Sequence, residues 1–168
     1  MNEVILLGTS HPIQRGEDNK SEKFSIYIEQ LIRDYSIKAI AEEIDGESKL
    51  IAQKLAEEKN IIHKLIDPNN EEKKILQIKD EDEIKKEILQ IPGCDKLDSG
   101  QWNDKADEEI DKLEQISYRQ REEEWFKRIK ELNTFPLLVI CGANHYEPFY
   151  KLLENNMFSV MYGNPHFY

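Results

Sequence analysis

The stretch Val4-Ile5-Leu6-Leu7-Gly8-Thr9-Ser10-His11 decides the fold, because four consecutive apolar residues run into a glycine and a polar turn. A short run that is apolar at every position predicts a central strand of a parallel sheet, which is buried on both faces. The same arrangement returns at Leu137-Leu138-Val139-Ile140-Cys141-Gly142-Ala143-Asn144-His145. Each stretch therefore predicts a buried strand followed by a turn that carries a histidine.

Short apolar runs alternate with segments of helical periodicity along most of the chain. Apolar residues at spacings of three and four predict a helix over residues 24–35. We therefore expect an α/β fold, with a central and mostly parallel sheet of about five strands flanked by helices. The predicted strands cover residues 4–8, 37–41, 61–66, 136–142 and 158–162, further helices cover residues 50–56 and 146–155, and residues 11–20 are expected to form a polar loop.

A charged helical insertion is predicted between the third and fourth strands, over residues 69–133. Lys and Glu dominate there, and apolar residues recur every three or four positions. This pattern predicts two shorter helices and one long helix over residues 104–132. Because 168 residues is the usual length of one domain, we expect a single α/β domain over residues 1–168 that contains this insertion.

The charge balance narrows the range of partners. The chain has 34 acidic and 23 basic residues and a formal net charge of −11, which repels phosphate backbones and anionic bilayers, so we expect neither nucleic acid nor membrane as a partner. Met1-Asn2-Glu3 leads directly into the first strand without a basic leader, which favours a cytoplasmic location. Cys94 and Cys141 match no disulfide or zinc pattern. Homo-oligomerisation stays open.

Polar residues that follow the predicted strands form the candidate site. Ligands of an open parallel sheet bind outside the carboxyl ends of its strands. His11, Glu42, Glu43, Asp67 and His145 occupy those positions, and both His11 and His145 stand three residues after a glycine. Two imidazoles and several carboxylates at one edge indicate either a metal site or an acid–base site. His63, inside the third strand, is interpreted as a packed strand residue.

Arg121 is the candidate for holding an anionic group. On the long helix it shares one stripe with Trp125, Ile129 and Leu132, at spacings of four, four and three. A guanidinium on an inward stripe generally meets a carboxylate or an anionic substrate group. The alternative is an arginine that extends its charged end to solvent beside its acidic neighbours.

Four motifs in this order resemble the TraB/Tiki superfamily, which includes the erythromycin-esterase-like and ChaN-like proteins. They are GTSH at residues 8–11, EEID at 42–45, REEEW at 121–125 and GANH at 142–145. The resemblance implies a hydrolase pocket at the sheet edge. In members proposed as metalloproteases, the motif histidines and paired glutamates would hold a divalent metal. The esterase-like branch would use a motif histidine as general base.

The main hypothesis from the sequence is a metal-dependent, peptidase-like hydrolase acting on a small-molecule or peptide substrate. His11, Glu43 and His145 would bind a divalent ion, either manganese, cobalt or zinc. Glu42, or failing it Asp67, would accept a proton from the bound water, and Arg121 would hold a substrate carboxylate or the developing oxyanion.

Two other hypotheses use the same residues. In one, no metal is bound and His11 is a catalytic general base oriented by Glu43 in an esterase-type reaction. In the other, the protein catalyses nothing: its charged insertion is a surface for a partner, and its pocket is vestigial or senses a ligand, with haem or iron as the ligand that the ChaN-like resemblance implies. Metal content and turnover distinguish the three hypotheses.

Overall fold

The computed structural model describes residues 2–44 and 50–163. Asp45, the last residue of the second motif, lies outside these residues. Five strands alternate with seven helices in this part of the chain. In chain order the elements are β1 (Glu3–Thr9), α1 (His11–Arg15), α2 (Ser21–Asp34), β2 (Ala39–Glu42), α3 (Ile51–Lys59), β3 (Ile62–Leu65), α4 (Asn70–Ile75), α5 (Glu81–Ile88), α6 (Asp104–Leu132), β4 (Leu137–Gly142), α7 (Ala143–Asn155) and β5 (Ser159–Tyr162).

The five strands form one parallel sheet in the order β3-β2-β4-β1-β5. Strand β4 lies between β1 and β2, and Leu137 is in register with Val4 on one side and with Ala39 on the other. All carboxyl ends of the strands therefore lie at one edge of the sheet. The residues that follow β1, β2 and β4 come together at this edge. The predicted α/β fold with about five parallel strands is confirmed.

Helices cover both faces of the sheet, so its central strands are buried on both sides. Alternate residues of a strand point to opposite faces. Accordingly, Leu6 and Val139 belong to one apolar cluster with Trp125, whereas Leu7 and Ile140 belong to another. The second cluster includes the helix residues Phe24, Ile28, Leu31, Ala52 and Leu55. This double cover explains why the first and fourth strands read as continuous apolar runs.

The chain divides into two compact units. Residues up to Asp67 and from Glu124 onward form the sheet unit, and Pro68–Glu123 form the helical unit. The helical unit has its own small core of Ile84, Ile88, Cys94 and Ala106. Capping boxes at Asn69 and Asp80 begin α4 and α5. The two shorter helices and the long helix expected in the insertion are therefore present.

One predicted element is wrong. The loop expected over residues 11–20 begins with the helix α1. Pro12 stands in the first turn, where its missing N–H has no partner to lose, and Gly16 ends the helix with a φ of 81°. Because the segment is polar and the helix has only five residues, the sequence pattern did not indicate a helix here.

Within the residues that the structure describes, no helix is long and apolar enough to cross a membrane.

Candidate functional site

His11 and Glu43 lie next to each other at the carboxyl edge of the sheet. His11 begins α1 directly after β1, and Glu43 follows β2. The distance from His11 Nε2 to Glu43 Oε2 is 3.5 Å. The side chain of Glu43 is 2% exposed and that of His11 is 44% exposed. A buried carboxylate thus faces an imidazole that solvent can reach.

Gly142 fixes the carboxylate of Glu43. Its backbone N–H donates a hydrogen bond of 2.9 Å to Glu43 Oε2, and the N–H of Glu43 donates to the carbonyl of Ile140. A Cβ at position 142 would stand 3.3 Å from Glu43 Oε2 and 3.7 Å from His145 Cδ2. The glycine therefore lets a carboxylate and an imidazole approach the same stretch of backbone.

His145 is buried in the first turn of α7. Its ring lies edge-on to the indole of Trp125, with 4.7 Å between the ring centroids. Trp125 Nε1 in turn donates a hydrogen bond of 3.0 Å to Asp67 Oδ1, and Arg128 donates to the carbonyl oxygen of Asp67. Asp67, the second candidate for accepting a proton, thus bonds to the indole that packs against His145.

Glu42 and His63 form a separate buried pair. Glu42 Oε2 lies 2.8 Å from His63 Nε2, and the residue is fully buried. Its other oxygen, Oε1, has no hydrogen-bond partner among the described residues. Burial raises the pKa of Glu42 above its ordinary value, and the hydrogen bond from His63 offsets only part of this rise. Because Glu42 is fully buried and one of its oxygens is bonded to His63, it is poorly placed to meet an incoming water.

Adjacent carboxylates have different partners because successive residues of a strand point to opposite faces. Glu42 meets His63, and Glu43 meets His11 and Gly142. The role of His63 was missed by sequence reasoning. The structure places His63 in register with Ile40, two residues before Glu42 on the same strand face, and the sequence alone does not specify this register.

The predicted metal ligands do not meet as a set. Gly142 lies beside both Glu43 and His145, and Glu43 also meets His11. Over residues 2–44 and 50–163, however, no group of three or more His, Cys, Asp or Glu side chains could hold a metal ion. The present arrangement of His11, Glu43 and His145 therefore does not fit a three-ligand centre. The divalent metal stays a prediction from the sequence.

Arg121 belongs to the helical unit, where it lines a cavity together with residues of α4 and α5. The other residues predicted for the site belong to the sheet unit. Among the residues predicted for the site, His11 and Glu43 are the pair that combines a partly exposed imidazole with a buried carboxylate.

No protein-family model matches the chain, and comparisons with curated proteins and with solved structures gave no match either. The resemblance to the TraB/Tiki superfamily therefore depends on the four short motifs alone.

Proposed function

We propose that the protein is a hydrolase in which His11 is the general base and Glu43 orients it. The observation that carries this proposal is the 3.5 Å separation of His11 Nε2 and Glu43 Oε2, with the carboxylate buried and the imidazole partly exposed. A base must reach the proton that it abstracts and must itself be held by a third group. Solvent meets His11 on one side, and the buried Glu43 holds it on the other.

The chemistry follows from the two ring nitrogens. A proton on Nε2 directed at Glu43 leaves Nδ1 as the basic nitrogen. Nδ1 takes a proton from water while the water oxygen attacks the carbonyl carbon of an ester. The imidazolium then gives that proton to the departing alkoxide, and His11 ends the cycle neutral. Glu43 stays ionised and stabilises the imidazolium while it exists.

The resemblance to the TraB/Tiki superfamily supports the reaction class. In its esterase-like branch a motif histidine is thought to be the general base, and His11 stands in the corresponding motif of this chain. We propose an ester of a small molecule as the substrate and a cytoplasmic location for the protein.

A metal-dependent hydrolase is the second candidate. Its support is that Glu43 and His145 both approach Gly142, so two of the three expected ligands share one backbone neighbour. If a divalent ion bound there, it would lower the pKa of a coordinated water. This candidate requires that chelation abolish activity, whereas the general-base proposal requires that activity survive it.

Hydrolysis of p-nitrophenyl acetate and butyrate by chelator-treated protein is the test. We expect His11→Ala and Glu43→Gln each to reduce kcat/KM by about a hundredfold or more, which is typical of a lost general base. Glu29→Gln, which changes an exposed carboxylate paired with Lys59, is the matched control and should retain full activity. Activity that chelation abolishes and manganese, cobalt or zinc restores would favour the second candidate. Activity that is the same in His11→Ala as in the unchanged protein would refute the proposal.

A further inference from the structure

The helical unit contains a cavity of about 240 Å³ that the proposed reaction does not use. It lies among α4, the segment that joins α4 to α5, the beginning of α5, and α6. Ile78 and Ile84, which are almost fully buried, contribute apolar wall. Most of the remaining lining residues are charged and of both signs, among them Lys73, Glu114 and Arg121.

Hydrogen bonds fix the walls of this cavity. The hydroxyl of Ser117 on α6 donates a bond of 2.8 Å to the carbonyl of Lys79, which ties the joining segment to the long helix. Asp80 begins α5: its carboxylate accepts from the N–H of Glu83, and the carboxylate of Glu83 accepts from the N–H of Asp80. Lys79 itself pairs with Glu87. The side chains of Lys79 and Asp80 thus make contacts within the walls of the cavity.

Three other lining residues form a stripe along one face of α6. Glu114, Tyr118 and Arg121 stand at positions i, i+4 and i+7, which share one helix face. With a rise of 1.5 Å per residue, Glu114 and Arg121 are about 10 Å apart along the axis. An acid, an aromatic ring and a base therefore follow one another along the cavity.

A charged group stands at each end of the stripe. Lys85 is paired with Glu81, and the charge of Glu114 reaches Lys85 only through space, without a hydrogen bond between the two. The guanidinium of Arg121 has five N–H donors, more than one partner can use. The cavity thus combines an acceptor at one end, donors at the other and an apolar middle.

We propose that this cavity binds a zwitterionic ligand whose ammonium and carboxylate groups are about 10 Å apart, as in an extended tripeptide with free ends. The ammonium group contacts Glu114, the carboxylate contacts Arg121 and Lys73, and the middle of the ligand covers Tyr118. A polyanion is a poor fit, because the chain has a net charge of −11 and the cavity presents carboxylates of its own. The site does not depend on the reaction proposed for His11.

The experiment is calorimetric titration of the full chain with the tripeptide Ala-Leu-Ala in three forms. One form has both ends free, one is acetylated at its amino end, and one is amidated at its carboxyl end. We expect the free form to bind and each blocked form to bind about tenfold more weakly or worse, because each block removes one charge-assisted contact.

Protein variants assign each end of the ligand. In Glu114→Gln, acetylation should cost no further affinity while amidation still does. In Arg121→Gln, amidation should cost less affinity than in the unchanged protein, because only Lys73 remains to contact the carboxylate, while acetylation should cost as much as before. Glu108→Gln and Lys112→Gln change exposed residues of α6 outside the lining and serve as matched controls with unchanged binding. No heat from the free tripeptide, equal affinity for all three forms, or equal sensitivity of both variants to both blocks would each overturn the proposal.

Discussion

The backbone N–H of Gly142 donates a hydrogen bond of 2.9 Å to Oε2 of Glu43, although ninety-nine positions of sequence separate the two residues. The same oxygen faces His11 Nε2 at 3.5 Å. One carboxylate oxygen therefore connects the ends of β4, β2 and β1. Changes at Gly142 should reach His11 through this oxygen.

Substitution of Gly142 by alanine tests this connection. The φ of Gly142 is −62°, which alanine adopts freely, so the effect is steric. The added Cβ would stand 3.3 Å from Glu43 Oε2 and displace the carboxylate. We expect esterase activity to fall by about tenfold to a hundredfold, with a loss of about 1 kcal/mol in unfolding free energy by urea denaturation.

Gly100→Ala is the matched control. Gly100 has a φ of 81° and nothing within 4 Å of an added Cβ, so the change strains the backbone without touching the site. Stability should fall while kcat/KM stays constant. Equal activity losses in both variants would mean that Gly142 acts through general stability alone.

Glu42→Gln should change how stability depends on pH. Because burial raises the pKa of Glu42 above 4.5, the folded state binds its proton more tightly than the unfolded chain does. The stabilisation that this proton gives the folded state is complete below the pKa of Glu42 in the unfolded chain. It is lost as pH rises through the pKa of Glu42 in the folded state. Glutamine resembles the protonated acid, so this loss should disappear when unfolding is measured by urea from about pH 5 to about pH 8.

Glu29→Gln supplies a comparison of opposite sign. Its hydrogen bond with Lys59 lowers the pKa of Glu29, so any contribution is present at neutral pH and lost as pH falls. The effect should be small, because the pair is exposed.

Identical pH dependence in Glu42→Gln and the unchanged protein would show that Glu42 has an ordinary pKa.

Trp125→Phe removes a hydrogen bond and keeps an aromatic ring. Trp125 Nε1 donates to Oδ1 of the partly buried Asp67, and the variant removes this hydrogen bond. We expect a loss of about 1.5–3 kcal/mol in unfolding free energy, the usual contribution of a hydrogen bond to a charged group. Circular dichroism in urea is the measurement. Trp102→Phe, whose ring lies under Lys96 in the helical unit, should cost less; a larger cost there would contradict the role given to the Asp67 contact.

Two isoleucines of α6 compare burial on a single helix. Ile129 is fully buried and Ile116 is 55% exposed. Ile129→Ala should lower the unfolding free energy by about 2–5 kcal/mol, because it removes packed volume from the core of the sheet unit. Ile116→Ala should change it by about 0.5 kcal/mol or less. Similar values for the two variants in urea denaturation would contradict the assigned packing.

Much of the fold could be predicted from local pattern. The continuous apolar runs at β1 and β4 identified strands buried on both faces, and the spacing of apolar residues located α2 and α6. The helix α1 could not be predicted in this way, because five residues contain too little periodicity and His11 and Pro12 favour a loop by composition. In the structure Pro12 stands in its first turn and Gly16 ends it, both at positions where these residues are compatible with a helix.

The candidate site was predicted only in part. The rule that ligands gather at the carboxyl ends of strands brought His11 and Glu43 together correctly. The partner of Glu42 depends on the register between β2 and β3, which the sequence does not specify. The bond from Gly142 to Glu43 depends on the pairing of β2 with β4, a contact between segments distant in sequence.

The position of β4 in the sheet order has a consequence for biosynthesis. Strands β1 and β2 leave the ribosome early, but they are not neighbours and can join only through β4, which is made after the whole insertion. A nascent chain that ends before Leu137 can pair β2 only with β3, and it leaves β1 without either of its neighbours, β4 and β5. The contact of His11 with a Glu43 carboxylate held by Gly142 can therefore form only after β4 has been made.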